Sequence, residues 1–417
     1  MFAAHSNNME AISASSFSSA KSAVELAISL VGIMALWLGL MRVLEAGGCM
    51  LAVAKLLQPI MRRLFKDVPT EHPAMSAIIM NISANMLGLG NAATPFGIRA
   101  MIELNRLNPI KGTATNAMCL FLAINTSSVA LLPLGAIGIR AAAKADAPAA
   151  IWAPSFIATL ASTIVGISIA LLAAKIYGNP TSENSSSALE NSEPNSIAKT
   201  ELPSYQHLLG RTSIIRKTFC WLAFTFCILM CIQQILTAED SLSFIQTQVL
   251  AHWLMPMLML SIVLYGCGAG VHVYEAVTEG AKQGFEVAIR IIPFLVTILV
   301  AIGVFRASGG LELFTSIIAP ITNLIGLPGE VVPMAIIRPL SGSGAFAVMS
   351  DLTQSDPNSY AAYLSAVIMG STETTFYVLA VYFGAAGITK IRYALLAALA
   401  ADFTGMLAAC IVSPIFF

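Results

Sequence analysis

The stretch Pro73–Ile98, PAMSAIIMNISANMLGLGNAATPFGI, decides how this chain is read. It has no charged residue, yet Asn81, Ser83, Asn85, Asn91 and Thr94 stud it, and Gly88, Gly90 and Pro95 interrupt it. It is long and apolar enough to enter a bilayer but too broken to be a plain span. Irregular backbone survives at membrane depth only where protein buries it or where it lines a cavity. The pattern therefore predicts a broken or re-entrant helix of the kind that forms a binding site in secondary transporters.

Composition agrees. Of 417 residues, 57% are hydrophobic and 11% charged, against about 45–50% and about 25% in soluble domains. The chain reads as an all-α polytopic membrane protein whose main partner is the lipid bilayer. Its formal net charge is zero, which gives no reason to expect a nucleic-acid partner. The first residues lack the basic start, apolar core and small-residue cleavage site of a secretory signal. The seven cysteines lie in or beside apolar stretches and read as small buried fillers. The five histidines have no metal-ligand spacing. No metal or other cofactor is expected. Gly266-Cys267-Gly268-Ala269-Gly270 ends an apolar run rather than a strand and lacks the Gly-Lys-Ser/Thr of a phosphate loop. No catalytic motif supports an enzyme.

Apolar runs of about 20 residues predict eight spans: Val24–Met41, Thr113–Ile137, Ile151–Ala174, Thr218–Leu236, Val249–Val271, Gln283–Phe305, Tyr360–Phe383 and Tyr393–Pro414. Pro73–Ile98 and Val331–Ser350 predict two broken helices. Residues 177–217 are rich in Ser, Asn and Glu around TSENSSSALENSEPNS and read as a flexible linker between halves 1–176 and 218–417. The halves repeat each other. Ala20-Lys21, Gly47-Gly48, Pro59, Val68-Pro69 and Ile78-Ile79 match Ala281-Lys282, Gly309-Gly310, Pro320, Leu327-Pro328 and Ile336-Ile337 in order and at a nearly constant offset. Basic residues then orient the copies, because they collect in cytoplasmic loops. Lys55, Arg62, Arg63 and Lys66 follow Gly48, and Arg99, Arg106 and Lys111 follow the first broken segment; the equivalent stretches 309–330 and 351–359 carry no Lys or Arg. Equivalent loops thus face opposite sides, and the repeats are inverted. Arg140 and Lys144 fall on the outer side against this trend.

The polar residues inside apolar stretches are the candidate site. Asn81, Ser83, Asn85, Asn91 and Thr94 in the first broken segment correspond to Arg338, Ser341 and Ser343 in the second. A further pair of polar runs lies mid-span: Asn125-Thr126-Ser127-Ser128, and Ser371-Thr372-Glu373-Thr374-Thr375. Consecutive polar residues cannot all share one helix face, so unwinding or a cavity is expected there. Small-residue helix packing is the competing account of the Gly and Ser content. Glu373 is costly in lipid unless solvated, paired or protonated; it reads as a solute or coupling-cation ligand, or as a structural partner of Arg338 or a helix cap. Arg338 in turn would meet a solute anion, Glu373 or Asp351. Asp402 has no evident counterpart in the first half and reads as a buried hydrogen-bonding group. Arg42, Glu45 and Arg306 sit at span ends, where snorkelling accounts for them.

These residues also carry a resemblance. Asp67-Val68-Pro69, Glu71-His72-Pro73-Ala74-Met75, Ala84-Asn85 and Gly88-Leu89-Gly90-Asn91-Ala92-Ala93-Thr94-Pro95 resemble spore maturation protein A. Glu330-Val331-Val332-Pro333, Arg338-Pro339, Ser341-Gly342 and Gly370-Ser371-Thr372-Glu373-Thr374-Thr375-Phe376-Tyr377 resemble spore maturation protein B. The resemblance implies two Gate, or nucleoside-recognition, domains fused through the linker, and a small-solute pathway. That group is also similar to parts of concentrative nucleoside transporters and to the membrane region of the ferrous iron transporter B. This chain lacks the latter's GTP-binding domain and differs from the former around the broken helices, so their site residues do not transfer.

The expected protein is a multi-pass inner-membrane carrier of a small polar solute, with nucleoside-like cargo and a coupling cation both compatible and homo-oligomerisation left open. Its binding residues would be Asn81, Ser83, Asn85, Asn91, Thr94, Asn125, Thr126, Arg338, Ser341, Ser343, Ser371, Glu373 and Thr374. The alternative is a membrane scaffold for envelope or spore-cortex maturation that transports nothing. The inversion is directly testable. With the native cysteines replaced, an impermeant thiol reagent added to intact cells should label a cysteine at Asp356 and spare one at Lys111 until the membrane is opened. Labelling of both, or of neither, would refute opposed loops.

Overall fold

The computed structural model describes residues 9–88, 90–127, 130–178, 205–210, 212–238 and 252–417, together with 244, 248 and 249. Among them the chain is helical, apart from isolated bridges such as Thr113 with Lys390. The first half runs α1 (Met9–Ala46), α2 (Cys49–Leu64), α3 (Pro73–Met86), α4 (Gly90–Arg106), α5 (Asn116–Ser127), α6 (Leu134–Ala142) and α7 (Trp152–Tyr177). Then come α8 (Ile214–Thr237) and α9 (Leu254–Ala269). The second half repeats the pattern as α10 (Val273–Ala307), α11 (Gly310–Thr322), α12 (Val332–Ile337), α13 (Gly342–Ser355), α14 (Tyr360–Ser371), α15 (Thr375–Ala385) and α16 (Ala394–Phe416). Residues 179–204 and 211, most of the expected linker, lie outside the described residues, as does Ser128.

Five stretches are long and apolar enough to cross a membrane: Met9–Ala46, Pro148–Tyr177, Ile214–Thr237, Tyr360–Ala385 and Ala394–Phe416. Asn116–Ser127, Leu254–Ala269 and Leu295–Ala307 are shorter apolar helices. The spans expected at Thr113–Ile137 and Tyr360–Phe383 are therefore not continuous helices. Each stops at its polar run and resumes beyond it, as α5/α6 and α14/α15. The helices start where local chemistry provides a cap: His72 Nδ1 accepts from Ala74 N at 3.2 Å with Pro73 at the first position, and Ser341 and Ser359 cap α13 and α14.

Packing shows how the copies meet. Gly39 touches Val277, Leu38 meets Gly280, Ala35 meets Gly284 and Ser19 meets Gly303, so one number rises as the other falls. α1 and α10, the equivalent first helices, are antiparallel along their length. The same holds for the last helices: Ser162 meets Gly405, Gly166 meets Ala401, and Tyr177 stacks on Tyr393 with centroids 5.8 Å apart. Between them the halves exchange partners. α4 packs on α15 as α13 packs on α6, and α5 packs on α16 as α14 packs on α7. A two-fold axis across the helices satisfies all of these pairings, which is the geometry of an inverted repeat. The main apolar cores are correspondingly shared. One holds Phe65, Met75, Ile78, Met118 and Phe121 from the first copy with Tyr382 and Phe383 from the second.

Glycine permits the close α1/α10 contact. A Cβ on Gly280 would stand 2.4 Å from Leu38 O, and one on Gly284 2.5 Å from Ala35 Cα. Between the halves, residues 205–210 dock on this pair: Gly210 N donates to Gly270 O and His272 N to Leu208 O, both at 2.8 Å. Arg42 does not snorkel as expected. It is buried, donating to Glu45 at 2.8 Å and to Tyr205 Oη at 2.7 Å. Burial, with the neighbouring Glu45 carboxylate, pushes the Tyr205 hydroxyl up, so it stays a donor to Glu45 at 3.0 Å. Gly284→Leu should lower stability by roughly 2–3 kcal/mol through overpacking at α1/α10, whereas Gly32→Ala, with nothing within 4 Å of its new methyl, should stabilise by roughly 0.5 kcal/mol. Thermal unfolding in detergent compares them; equal shifts would contradict the packed interface.

Candidate solute-binding site

Each half contains two interrupted helices, α3/α4 with α5/α6 and α12/α13 with α14/α15. Interrupting a helix strands backbone donors and acceptors, which in lipid must find partners. Here they find each other. Leu131 N, beyond the end of α5, donates to Met86 O at the end of α3 at 3.0 Å. In the second half Phe376 N donates to Pro339 O, also at 3.0 Å. At the gaps a backbone bond also crosses between the copies: Glu373 N donates to Thr126 O at 2.9 Å. Gly88 turns the chain out of α3 at φ 74°, a left-handed conformation that favours glycine.

Arg338 organises the second half. It sits at the end of α12 and is 3% exposed. Its guanidinium donates to Met369 O at 3.2 Å, to Thr374 Oγ1 at 3.2 Å and to Thr372 O, holding both ends of the gap between α14 and α15. Thr372 is thereby held extended at φ −143°, ψ 168°. Asp351 is not its partner, because that carboxylate pairs with Arg306 at 3.1 Å. Glu373 lies 3.9 Å from the Arg338 guanidinium with a side chain 48% exposed. The arginine is thus fixed mainly by oxygens of the broken helix, which leaves the glutamate turned toward open space.

That space is a cavity of about 290 Å³ where the gaps converge. Asn85, Arg338, Thr372, Glu373 and Thr374 supply polar lining; Leu132, Pro133, Phe346 and Met369 supply apolar walls. Gly342 lets Thr374 approach, since a Cβ there would lie 2.5 Å from Thr374 Oγ1. Small residues do serve close packing here, and the cavity exists beside it.

Of the residues singled out from sequence, Asn85, Arg338, Glu373 and Thr374 line the cavity. Behind Asn85 runs a buried amide network: Asn85 Nδ2 donates to Asn125 Oδ1 at 3.0 Å, Asn125 Nδ2 to Phe121 O at 2.9 Å, and Asn81 Nδ2 to Ala93 O at 2.8 Å and Tyr382 Oη at 3.1 Å. Ser83, Thr126 and Ser371 bond to carbonyls within their own helices, at Ile79, Ala123 and Ile368. Ser341 caps α13 with Ser343 beside it at 3.4 Å. Thr94 is half-buried on α4 and is not among the cavity residues. Asn91 belongs to α4, but its side chain lies outside the described residues.

Sequence reading passed over Tyr382, whose hydroxyl links Asn81 to Asn125 across the copies, at 3.1 and 3.4 Å. It sits in an apolar run with no signal of its own, and its ring occupies the space beside Gly97, where a Cβ would lie 2.2 Å from Tyr382 Cζ. Asp402 does have a counterpart. The mutual contacts Ser162/Gly405 and Gly166/Ala401 set Gly166 equivalent to Gly405 and Thr163 equivalent to Asp402, a register also visible in Leu160-Ala161 and Leu399-Ala400. Thr163 donates to Thr159 O at 2.8 Å, while buried Asp402 accepts from Thr375 at 2.7 Å. The charges near the gaps thus belong to the second copy (Arg338, Glu373, Asp402), while the first copy brings the Asn85 amide to the cavity lining.

Three comparisons bear on this arrangement. The pattern described as "Gate: Nucleoside recognition" matches residues 27–143 and 288–389, one segment in each copy. Spore maturation protein B of Bacillus subtilis (strain 168) is 46% identical over 165 residues, 39% of this chain and 93% of that protein. Spore maturation protein A of the same organism is 38% identical over 169 residues, 40% of this chain and 86% of that protein. The two together are consistent with a fusion. No solved structure matches the chain. The roles of the two charged residues separate by variant. Arg338→Met strips donors from buried oxygens and should destabilise by roughly 3 kcal/mol, whereas Glu373→Gln, half exposed, should cost less than about 1 kcal/mol. Unfolding midpoints measure both; comparable losses would mean that the carboxylate is structural.

Proposed function

Because the chain belongs to the nucleoside-recognition Gate family, and its two copies meet in opposed directions around a polar cavity, we propose that it carries a small polar solute across the bacterial inner membrane by alternating access. The convergence of four helix interruptions on one cavity carries this reading: polar lining is held among apolar walls, and all four breaks open onto it. Its volume of about 290 Å³ falls at the lower end of ligand pockets, which run from about 300 to 1,000 Å³, and suits one compact solute. Asn85 and Thr374 offer neutral hydrogen bonds, Glu373 offers a charge for an amine, a hydroxyl or a coupling cation, and Phe346 offers an aromatic wall to a nucleoside-like ring. The copies, 1–176 and 218–417, would rock against each other about the antiparallel α1/α10 and α7/α16 contacts, with segment 177–217 as a cytoplasmic connection. The role of the chain is read as non-enzymatic.

A scaffold for envelope or spore maturation is the competing reading, prompted by the names of the relatives. Such a protein would seal Glu373 in dry contact; its half-exposed position beside an open cavity supports the carrier instead. Thermal-shift screening of the purified full chain against nucleosides and other polar metabolites, followed by proteoliposome uptake, tests the proposal. Saturable uptake is expected. Asn85→Ala and Glu373→Gln should each weaken apparent affinity about 5- to 10-fold, the loss of one hydrogen bond, and Glu373→Gln should do so without matching loss of stability. The absence of saturable uptake for every solute, with the variants altering stability alone, would sink the carrier.

A further inference from the structure

A second and larger cavity, about 560 Å³, lies away from the helix gaps, where the end of α2, the start of α5 and the last turn of α7 come together. Arg63, Lys66 and Lys175 line it, and Asp67 is the one carboxylate in its lining. The three cations are exposed and have no ion-pair partner among the described residues. Asn116 and Ala117 open α5 onto the same space, so the positive end of that helix adds to the cationic field. The opposite wall is apolar. Leu120 and Leu171 line it, and Leu171 is continuous with exposed Leu172 and Ile176 on the outer face of α7.

The setting fixes the depth of this cavity. Gly178, also in the lining, follows Tyr177, which stacks on Tyr393 at the facing end of α16. Arg392 lies over the Tyr393 ring at 5.0 Å and donates to Gly178 O at 2.6 Å. Aromatic and arginine side chains at the ends of two spans mark the headgroup level of a bilayer. α2, which brings Arg63, is amphipathic: Met50, Ala54, Leu57 and Met61 are buried, while Lys55, Arg62 and Arg63 sit on its exposed side beside Leu56 and Ile60. That composition suits a helix lying in the interface. Its counterpart α11 carries no Lys or Arg, so the equivalent helix of the other copy has no such basic face.

We propose that this cavity binds an anionic phospholipid, with the phosphate headgroup against Arg63, Lys66 and Lys175 and an acyl chain along Leu120, Leu171 and the outer face of α7. Charge complementarity selects an anion, and a wall that runs on into the membrane-facing surface selects one with a hydrocarbon tail rather than a free ion. The site is separate from the solute cavity and holds whether or not the chain transports.

The test uses the purified full chain in neutral detergent with native mass spectrometry and thermal shift, comparing phosphatidylglycerol, phosphatidylcholine and inorganic phosphate. Wild type should retain phosphatidylglycerol and be stabilised by it more than by the other two. The variant Arg63→Gln/Lys66→Gln/Lys175→Gln changes exposed side chains only and should fold with an unchanged midpoint in detergent alone. It should bind phosphatidylglycerol at least about tenfold more weakly while its phosphatidylcholine binding stays the same, since each interfacial cation contributes about 1 kcal/mol toward anionic lipid. An unchanged phosphatidylglycerol preference in that variant would overturn the proposal. So would equal stabilisation by inorganic phosphate, which would mark a free-anion site. Selective lipid binding that emerges only after deletion of residues 181–198, which hold three Glu and no Lys or Arg, would assign the cavity to that acidic segment instead.

Discussion

The structure depends on satisfying broken backbone without bulk water. Four helices stop inside the apolar body of the protein, and each stop strands amide and carbonyl groups whose desolvation is costly. Two solutions coexist. In both copies the gap of one interrupted helix donates a backbone hydrogen bond to the gap of the other, Leu131 to Met86 and Phe376 to Pro339. In the second copy Arg338 adds side-chain donors that bridge Met369, Thr372 and Thr374. A single guanidinium can do this because its donors are arranged in a rigid fork. The cavity is what remains between these crossed helix gaps, so its shape follows from the hydrogen-bond arrangement rather than from loose packing.

Symmetry of backbone coexists with asymmetry of chemistry. The antiparallel α1/α10 and α7/α16 pairs and the exchanged contacts of the middle helices relate the copies by a two-fold axis. The side chains do not obey it. Where the first copy has Thr163 bonded within its own helix, the second has Asp402, whose Oδ1 has no hydrogen-bond partner among the described residues. Arg338 and Glu373 likewise belong to the second copy and share the cavity with Asn85 of the first. Under the carrier proposal, this asymmetric lining would give a solute one preferred orientation, while the symmetric frame would open by equivalent motions on both sides. The basic interfacial helix α2 extends the same asymmetry to the surface, since α11 has no such charge.

Much of this was legible in the chain. Lipid tolerates few charges and little broken backbone, so a run such as Pro73–Ile98 or Gly370–Thr375 announces itself without any partner being known. The structure interrupts helices at both places, between Met86 and Gly90 and at Thr372–Thr374. Charge in an apolar run likewise pointed to Arg338 and Glu373. The first-copy counterpart of Asp402 was missed because Thr163 carries no charge and is ordinary in a span. Tyr382 was missed because an aromatic residue in an apolar helix has no distinguishing pattern until Gly97 is seen beside it. Arg42 was read as snorkelling because its partner Tyr205 lies 163 residues away.

The sequence by itself determined the solvent, the repeat, its inversion and the positions of the helix interruptions, because each of these follows from the transfer cost of charge and unpaired backbone, which is local and additive along the chain. Only the tertiary structure decided which polar residues meet. Asn85, Arg338, Glu373 and Thr374 share a cavity while Ser83, Thr126 and Ser371 bond within their own helices, a division set by how antiparallel copies cross. Hydrogen-bond partners separated by hundreds of residues are a property of that crossing, and composition or spacing cannot encode it.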